Sequence, residues 1–224
     1  MHRDFANEPQ HYVRAFEVIQ KDLQEIFDYV EPSDTNLSCY SYRIHALHVR
    51  TCIEIEANCR AILEENGYSA KGDWNMNDYR KLDKTHHLSA YEVMSPIWQG
   101  KKNLRKPFQS WGAGAIPLDW YQAYNESKHD RHAKFARANF DKLLDAICSL
   151  VAILSSQFYV WNFPPSGAVR RWSGINGPLK DFEVAIGGYF HVKFPSNFSP
   201  AEQYDFDWDK LKQTKNPIHK VPRF

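Results

Sequence analysis

Nowhere does this chain run apolar for the roughly 18 residues that a membrane-spanning helix needs, and Met1-His2-Arg3-Asp4-Phe5 holds no apolar leader core. The expectation is a soluble, cytoplasmic protein with no membrane partner. A dominant charge is also missing. With 28 basic and 27 acidic residues the net charge is +1, so no global field gathers nucleic acid and any such binding has to be local. Cys39, Cys52, Cys59 and Cys148 include no Cys-x-x-Cys pair, which in 224 residues reads as reduced thiols rather than a disulfide framework. The glycosylation-like triplets at Asn36, Asn125 and Asn197 are then chance matches. Gly112-Ala113-Gly114 lacks the strand-to-helix frame of a phosphate loop, and no period of roughly 20 to 50 residues repeats. No cofactor is expected.

The most informative absence is that of proline and glycine between Leu118 and Asn162, which leaves the backbone free to form one or two long helices. Phe140, Leu143, Leu144, Ile147, Leu150, Val151, Leu154 and Phe158 recur there at the three-and-four spacing of a buried helix face. Earlier, Pro9 starts a helix whose stripe is Tyr12, Phe16, Ile19, Leu23, Ile26 and Val30, and Pro32 ends it. A second helix runs from about Ser41 to Glu65 and stops at Asn66-Gly67. Its two apolar rows suggest burial on two sides. Asn75 with Asp78 opens a short third helix, and residues 99–117 read as a long basic loop.

After Asn162 the character changes. Phe182, Val184 and Ile186 alternate with Glu183 and Ala185, and Gly187-Gly188 marks a hairpin into Tyr189–Phe194. Tyr204–Asp209 also alternates, although Asp205, Asp207 and Asp209 could instead hold a divalent cation. The expected fold is mainly α: a bundle of four to five helices over residues 1–162, with a small β-rich C-terminal appendage over 163–224.

The candidate chemistry gathers just ahead of the long apolar stripe. Asn125 and His129 are four apart, with Lys128 and His132 beside them, and Lys128, Arg131, Lys134 and Arg137 face one acid, Asp130. A histidine that exchanges a proton near neutrality beside cations that neutralise a phosphate is the minimum kit for attack on a phosphodiester by its own 2′-hydroxyl, and needs no metal. His129, Arg131 and Asn125 are therefore the catalytic candidates, and Lys128, His132, Lys134 and Arg137 the substrate-binding ones. The alternative is that Asn125 and His129 bridge helices within the bundle. His45, His48 and Cys52 at i, i+3 and i+7 offer three ligands on one helix face but no evident fourth, and a buried row explains them better than metal. The 7 Trp and 12 Tyr suit single-stranded nucleic acid as well as a core.

Two stretches, Leu47–Glu56 and Trp120-Tyr121-Gln122-Ala123-Tyr124-Asn125-Glu126-Ser127-Lys128-His129-Asp130-Arg131, resemble two helices of HEPN-superfamily proteins. The resemblance covers about residues 40–158. It implies an α-helical bundle, often a homodimer, acting as a metal-independent endoribonuclease of toxin or phage-defence systems, or as an inactive RNA-binding or protein-interaction module. The superfamily's usual Arg-to-His spacing is met here by Arg80 and His86, and by Arg43 and His48, rather than within Asn125–His129.

Overall fold

Helix α8 (Phe140–Phe158) is the element around which the others are arranged. Its sequence shows one strong apolar stripe, but small residues between the large ones let every face be covered. Ala146, Cys148, Ser149, Ala152 and Ser155 are as buried as Leu143, Ile147 and Leu154. A helix buried all round has to be clad by neighbours on all sides. They are α1 (Pro9–Phe27), α2 (Tyr42–Glu65), α6 (Asp119–His129) and a small sheet.

The computed structural model describes residues 8–114, 117–162, 170–171 and 181–197. Among them the protein is a mainly α bundle with a small antiparallel sheet.

Local signals explain the helix ends. The Ser41 hydroxyl accepts from the Ile44 N–H at 3.2 Å and starts α2. Gly67, at φ 79°, lets the Tyr68 and Gly67 N–H groups return to the Leu63 and Glu64 carbonyls, both at 2.9 Å. The expected third helix is broken into α3 (Met76–Tyr79) and α4 (Asp83–His86), joined by a 3-10 turn over Arg80–Leu82. Asn75 and Asp78 cap it reciprocally.

The sheet runs in the order β2-β1-β6-β5, all antiparallel, with β1 Glu92–Met94, β2 Leu104–Arg105, β5 Glu183–Val184 and β6 His191–Lys193. Val93 pairs with Val192 at its centre, and β1 and β6 both contact α8. Two strands thus come from the middle of the chain and two from beyond residue 162, so the sheet spans the boundary expected from the sequence. The basic loop of residues 99–117 supplies β2 and a one-turn α5 (Gln109–Gly112). A further two-stranded pair joins β3 (Trp161–Asn162) and β4 (Arg170–Arg171). Tyr204–Asp209, with its three aspartates, lies outside the described residues.

The hairpin is fastened to α1 by a hydrogen bond and by the Phe27 ring, which lies 6.2 Å from that of Tyr189. Gln20 donates from Nε2 to the Gly187 carbonyl at 2.9 Å, and Gly187 sits at φ 84°, where an added Cβ would stand 2.6 Å from the Gln20 amide oxygen. A buried ion cluster fastens β2 to α8. Arg105 Nη1 lies 2.9 Å from Asp141 and 2.6 Å from Asp145, with its guanidinium 5.7 Å from the Trp98 ring centroid.

Candidate functional site

The rotation of α6 is set by its aromatic residues. Trp120, Tyr121 and Tyr124 are buried, Trp120 Nε1 donates to the Pro107 carbonyl at 3.1 Å, and Tyr121 Oη donates to Glu56 Oε1 on α2 at 2.7 Å. With that face inward, Asn125 is half-buried while Lys128 and His129 point to solvent. No hydrogen bond joins His129 to Asn125 among the described residues, so the helix-bridging pair allowed by their spacing is not formed. Lys128 Nζ instead donates to Tyr124 Oη at 3.2 Å and lies 5.1 Å from that ring's centroid. That hydrogen bond favours the charged amine and raises its pKa.

Although no proline or glycine interrupts residues 118–162, α6 stops at His129. Asp130 leaves helical geometry at φ −131°, ψ 62°, and its carboxylate accepts the Ala133 N–H at 3.3 Å as the cap of the one-turn α7 (Arg131–Lys134). A 3-10 turn over Phe135–Arg137 follows, and Asn139 caps α8 by accepting from the Lys142 N–H at 3.2 Å. His132 therefore does not share a helix with Asn125, Lys128 and His129. The break is made by two Asx caps competing with helix continuation.

The basic residues divide into two groups. Arg137 folds back along α6, with Nε 2.8 Å from Glu126 and Nη2 2.9 Å from Asp119. Lys142 binds Asp119 at 2.7 Å and Asp141 at 2.9 Å. Arg137 thus braces the connection, its guanidinium occupied by two carboxylates. Arg131, His132 and Lys134 are exposed, and no carboxylate pairs with them among the described residues. The acid nearest in sequence, Asp130, is already engaged as a cap. The outward face of residues 128–134 is accordingly a run of cations and imidazoles.

Helix α2 supplies a second wall that sequence spacing did not assign. The His45 ring lies 5.4 Å from the Phe135 ring and against the Ser127 backbone, with Nε2 lacking a well-aligned partner. Burial lowers its pKa, the Ser127 contact opposes this, and the Arg131 charge lowers it further. His45 is thus electrostatically coupled to Arg131. Tyr42 meets the same Phe135 ring at 4.8 Å, and Tyr40 meets it edge-on at 5.7 Å. The only sequence hint was Tyr40-Ser41-Tyr42 flanking a helix cap.

The other Arg and His pairs are differently placed. His48 is fully buried beneath α6, and burial pushes its pKa down to about 4, whereas the Arg43 side chain is 70% exposed. His86 is buried with Nδ1 2.7 Å from the Thr85 hydroxyl, and burial pushes its pKa to about 3. Neither imidazole reaches solvent. Of the three ligands considered for a metal, His48 and Cys52 are in the core, where burial raises the Cys52 thiol pKa. No group of three or more His, Cys, Asp or Glu is placed to hold a metal among the described residues.

Compared with protein-family models, curated proteins and solved structures, the chain matches none. No helix of the described residues is long and apolar enough to cross a membrane.

Proposed function

We propose that the chain is an HEPN-like RNA-binding protein with metal-independent endoribonuclease activity, working in the cytoplasm through the exposed face of residues 125–134. The single observation that supports this most is the charge arrangement there. Lys128, Arg131 and Lys134 project beside His129 and His132, while the acids in reach are spent on capping or on Arg137. Such a face attracts a phosphodiester and presents a proton carrier to it.

In the proposed reaction His129 takes the proton of a ribose 2′-hydroxyl as that oxygen bonds to the adjacent phosphorus. The bond from phosphorus to the 5′-oxygen breaks, and the leaving oxygen takes a proton from the resulting imidazolium or from water. Arg131 and Lys128 hold the non-bridging oxygens, His132 and Lys134 extend the phosphate contacts, and Asn125, one turn before His129, stands on the same side of α6 as the proton carrier. The products are a 2′,3′-cyclic phosphate and a 5′-hydroxyl.

Incubation with mixed RNA in EDTA tests this. Cyclic-phosphate ends that disappear with His129→Ala are expected; intact RNA would refute catalysis. A homodimer belongs to the same proposal, since a two-fold axis would double this cationic face, and light scattering at about 26 kDa would count against it.

A second reading has its own observation. Arg137, Lys142, Asp119, Glu126 and Asp141 form a continuous ion network that orders the α6–α8 connection without any ligand. On that reading the segment is a structural joint in a non-catalytic helical interaction module, and RNA neither binds nor is cut.

A further inference from the structure

Beside the cationic face stands a small aromatic cluster that lies outside the hydrophobic core of the described residues. Tyr42 is 71% exposed and Tyr40 is 54% exposed, whereas most other large aromatic side chains of the described residues are buried or half-buried. Exposed rings of this size are normally scattered singly. Here they are not. Both rest on Phe135, which is half-buried and carried by the basic connection itself, and the His45 ring contacts the same Phe135 ring. Tyr40, Tyr42 and Phe135 stand outside the hydrophobic core of the described residues.

The segments that carry these rings also carry cations. Arg43 follows Tyr42, is 70% exposed, and has only a loose contact of 3.9 Å with Glu25. Lys134 precedes Phe135, and the Arg131 charge reaches His45 from one turn earlier. Because Phe135 touches Tyr40 and Tyr42, the basic connection and the start of α2, each with its own cations, meet at these rings. Flat apolar faces on segments that carry cations match the chemistry of an unpaired nucleotide: a base with two π-faces, flanked by phosphates on either side. A duplex does not fit this description, because its bases are stacked on each other and their π-faces are not free to meet a ring.

We propose that Tyr42 and Tyr40, seated on Phe135, form a stacking platform for unpaired bases of single-stranded RNA, with Arg43, Arg131 and Lys134 holding the flanking phosphates. The platform rests on the reading of residues 125–134 as an RNA face, and it gives that face its substrate class: RNA must be single-stranded to be held there. Tyr40 and Tyr42 are binding residues, and the rings are separate from the His129 proton carrier.

The test uses the full chain and two fluorescein-labelled probes, a 12-nucleotide oligouridylate and the same strand annealed to its complement, followed by anisotropy over a series of salt concentrations. The single strand should bind more tightly than the duplex. Tyr42→Ala and Tyr40→Ala should each weaken single-strand binding by roughly 5- to 150-fold, the range expected for one stacked base, with the salt dependence unchanged. Tyr42→Phe should retain binding, because the face stacks and the hydroxyl does not. Arg131→Ala should lower the salt slope by about 0.7, as the loss of one phosphate contact to a single strand does. Both tyrosine rings are exposed, so the melting temperature of these variants should stay at the parental value.

Wild-type affinity in both alanine variants alongside weakened Arg131→Ala would overturn the platform and leave the RNA face standing. Equal affinity for duplex and single strand would do the same. Binding that depends on the tyrosines without any cleavage would uphold the platform and remove the catalytic reading. No binding of either probe at about 100 µM protein, the weak end of non-specific affinity, would overturn both proposals.

Discussion

Acidification from pH 7 to pH 5 should destabilise this protein through two histidines that the fold keeps neutral. His48 and His86 are buried, and burial lowers their pKa values from 6.5 to about 4 and about 3. The unfolded chain takes up protons at the ordinary histidine value, so between pH 6.5 and pH 4 it binds more protons than the folded one, and stability rises with pH across that window. The contribution is fully present above pH 6.5 and is lost as pH falls toward the folded-state values. At pH 5 each histidine costs about 2 kcal/mol relative to pH 7, together about 4 kcal/mol against a typical total of 5 to 15 kcal/mol. Urea denaturation at pH 7, 6 and 5 reads this out: with a slope of roughly 2 to 3 kcal/mol/M, the midpoint should fall by about 1.3 to 2 M. Asp145 acts in the opposite direction, because burial raises its pKa even beside Arg105, so the decisive comparison is between variants. His48→Gln keeps a polar amide near the Trp120 backbone but cannot take a proton in this range. It should lose about 2 kcal/mol of the change between pH 7 and pH 5, and a slope equal to that of the parent would refute the argument.

Ile147, fully buried on α8, should cost about 2 to 5 kcal/mol as Ile147→Ala, seen as a lowered melting temperature. His129→Ala, by contrast, should leave the melting temperature within a few degrees, because its side chain is exposed; a loss as large as that of Ile147→Ala would remove it from the catalytic assignment. Gly187→Ala should destabilise by at least about 1 to 2 kcal/mol, since φ 84° disfavours an L-residue and a Cβ would stand 2.6 Å from the Gln20 side-chain oxygen; an unchanged denaturation midpoint would show that the hairpin contact is dispensable. Arg105→Ala leaves Asp141 and Asp145 without their shared cation and should cost about 3 to 5 kcal/mol at pH 7, less in acid where the carboxylates are protonated.

The helices were legible where their signals were local. Pro9, the Ser41 cap and Asn66-Gly67 each sit within a residue or two of a boundary, and the apolar stripes of α1 and α8 mark the faces that are buried. The sheet was only half legible. Alternation after residue 181 and Gly187-Gly188 gave the β5–β6 hairpin, but Val93 carries no mark that its partner is Val192, 99 residues on. Strand pairing at that separation is decided by which apolar faces α8 leaves to cover, a property of the packed bundle rather than of either segment. The small residues of α8 were similarly silent: Ala146, Ser149 and Ala152 look like a polar or neutral side until neighbours are known to press on it.

At the candidate site the same distinction separates what spacing can supply from what it cannot. Composition placed the cations and imidazoles in residues 128–137, but helical periodicity extended through Asp130 assigned His132 to the wrong stripe and left Arg137 looking available. Both errors have one cause. Asp130 and Asn139 are weak helix formers whose carboxylate and amide cap the helices that follow them, so the chain turns without proline or glycine and brings Arg137 back to Glu126 and Asp119. The same turn carries Phe135 onto α2, beneath Tyr40 and Tyr42 and beside His45, residues separated from it by about ninety positions in the chain. A site assembled across two helices is invisible to a motif that lies along one. The joint that removes Arg137 from the cationic set is therefore also what sets the remaining cations against an aromatic wall.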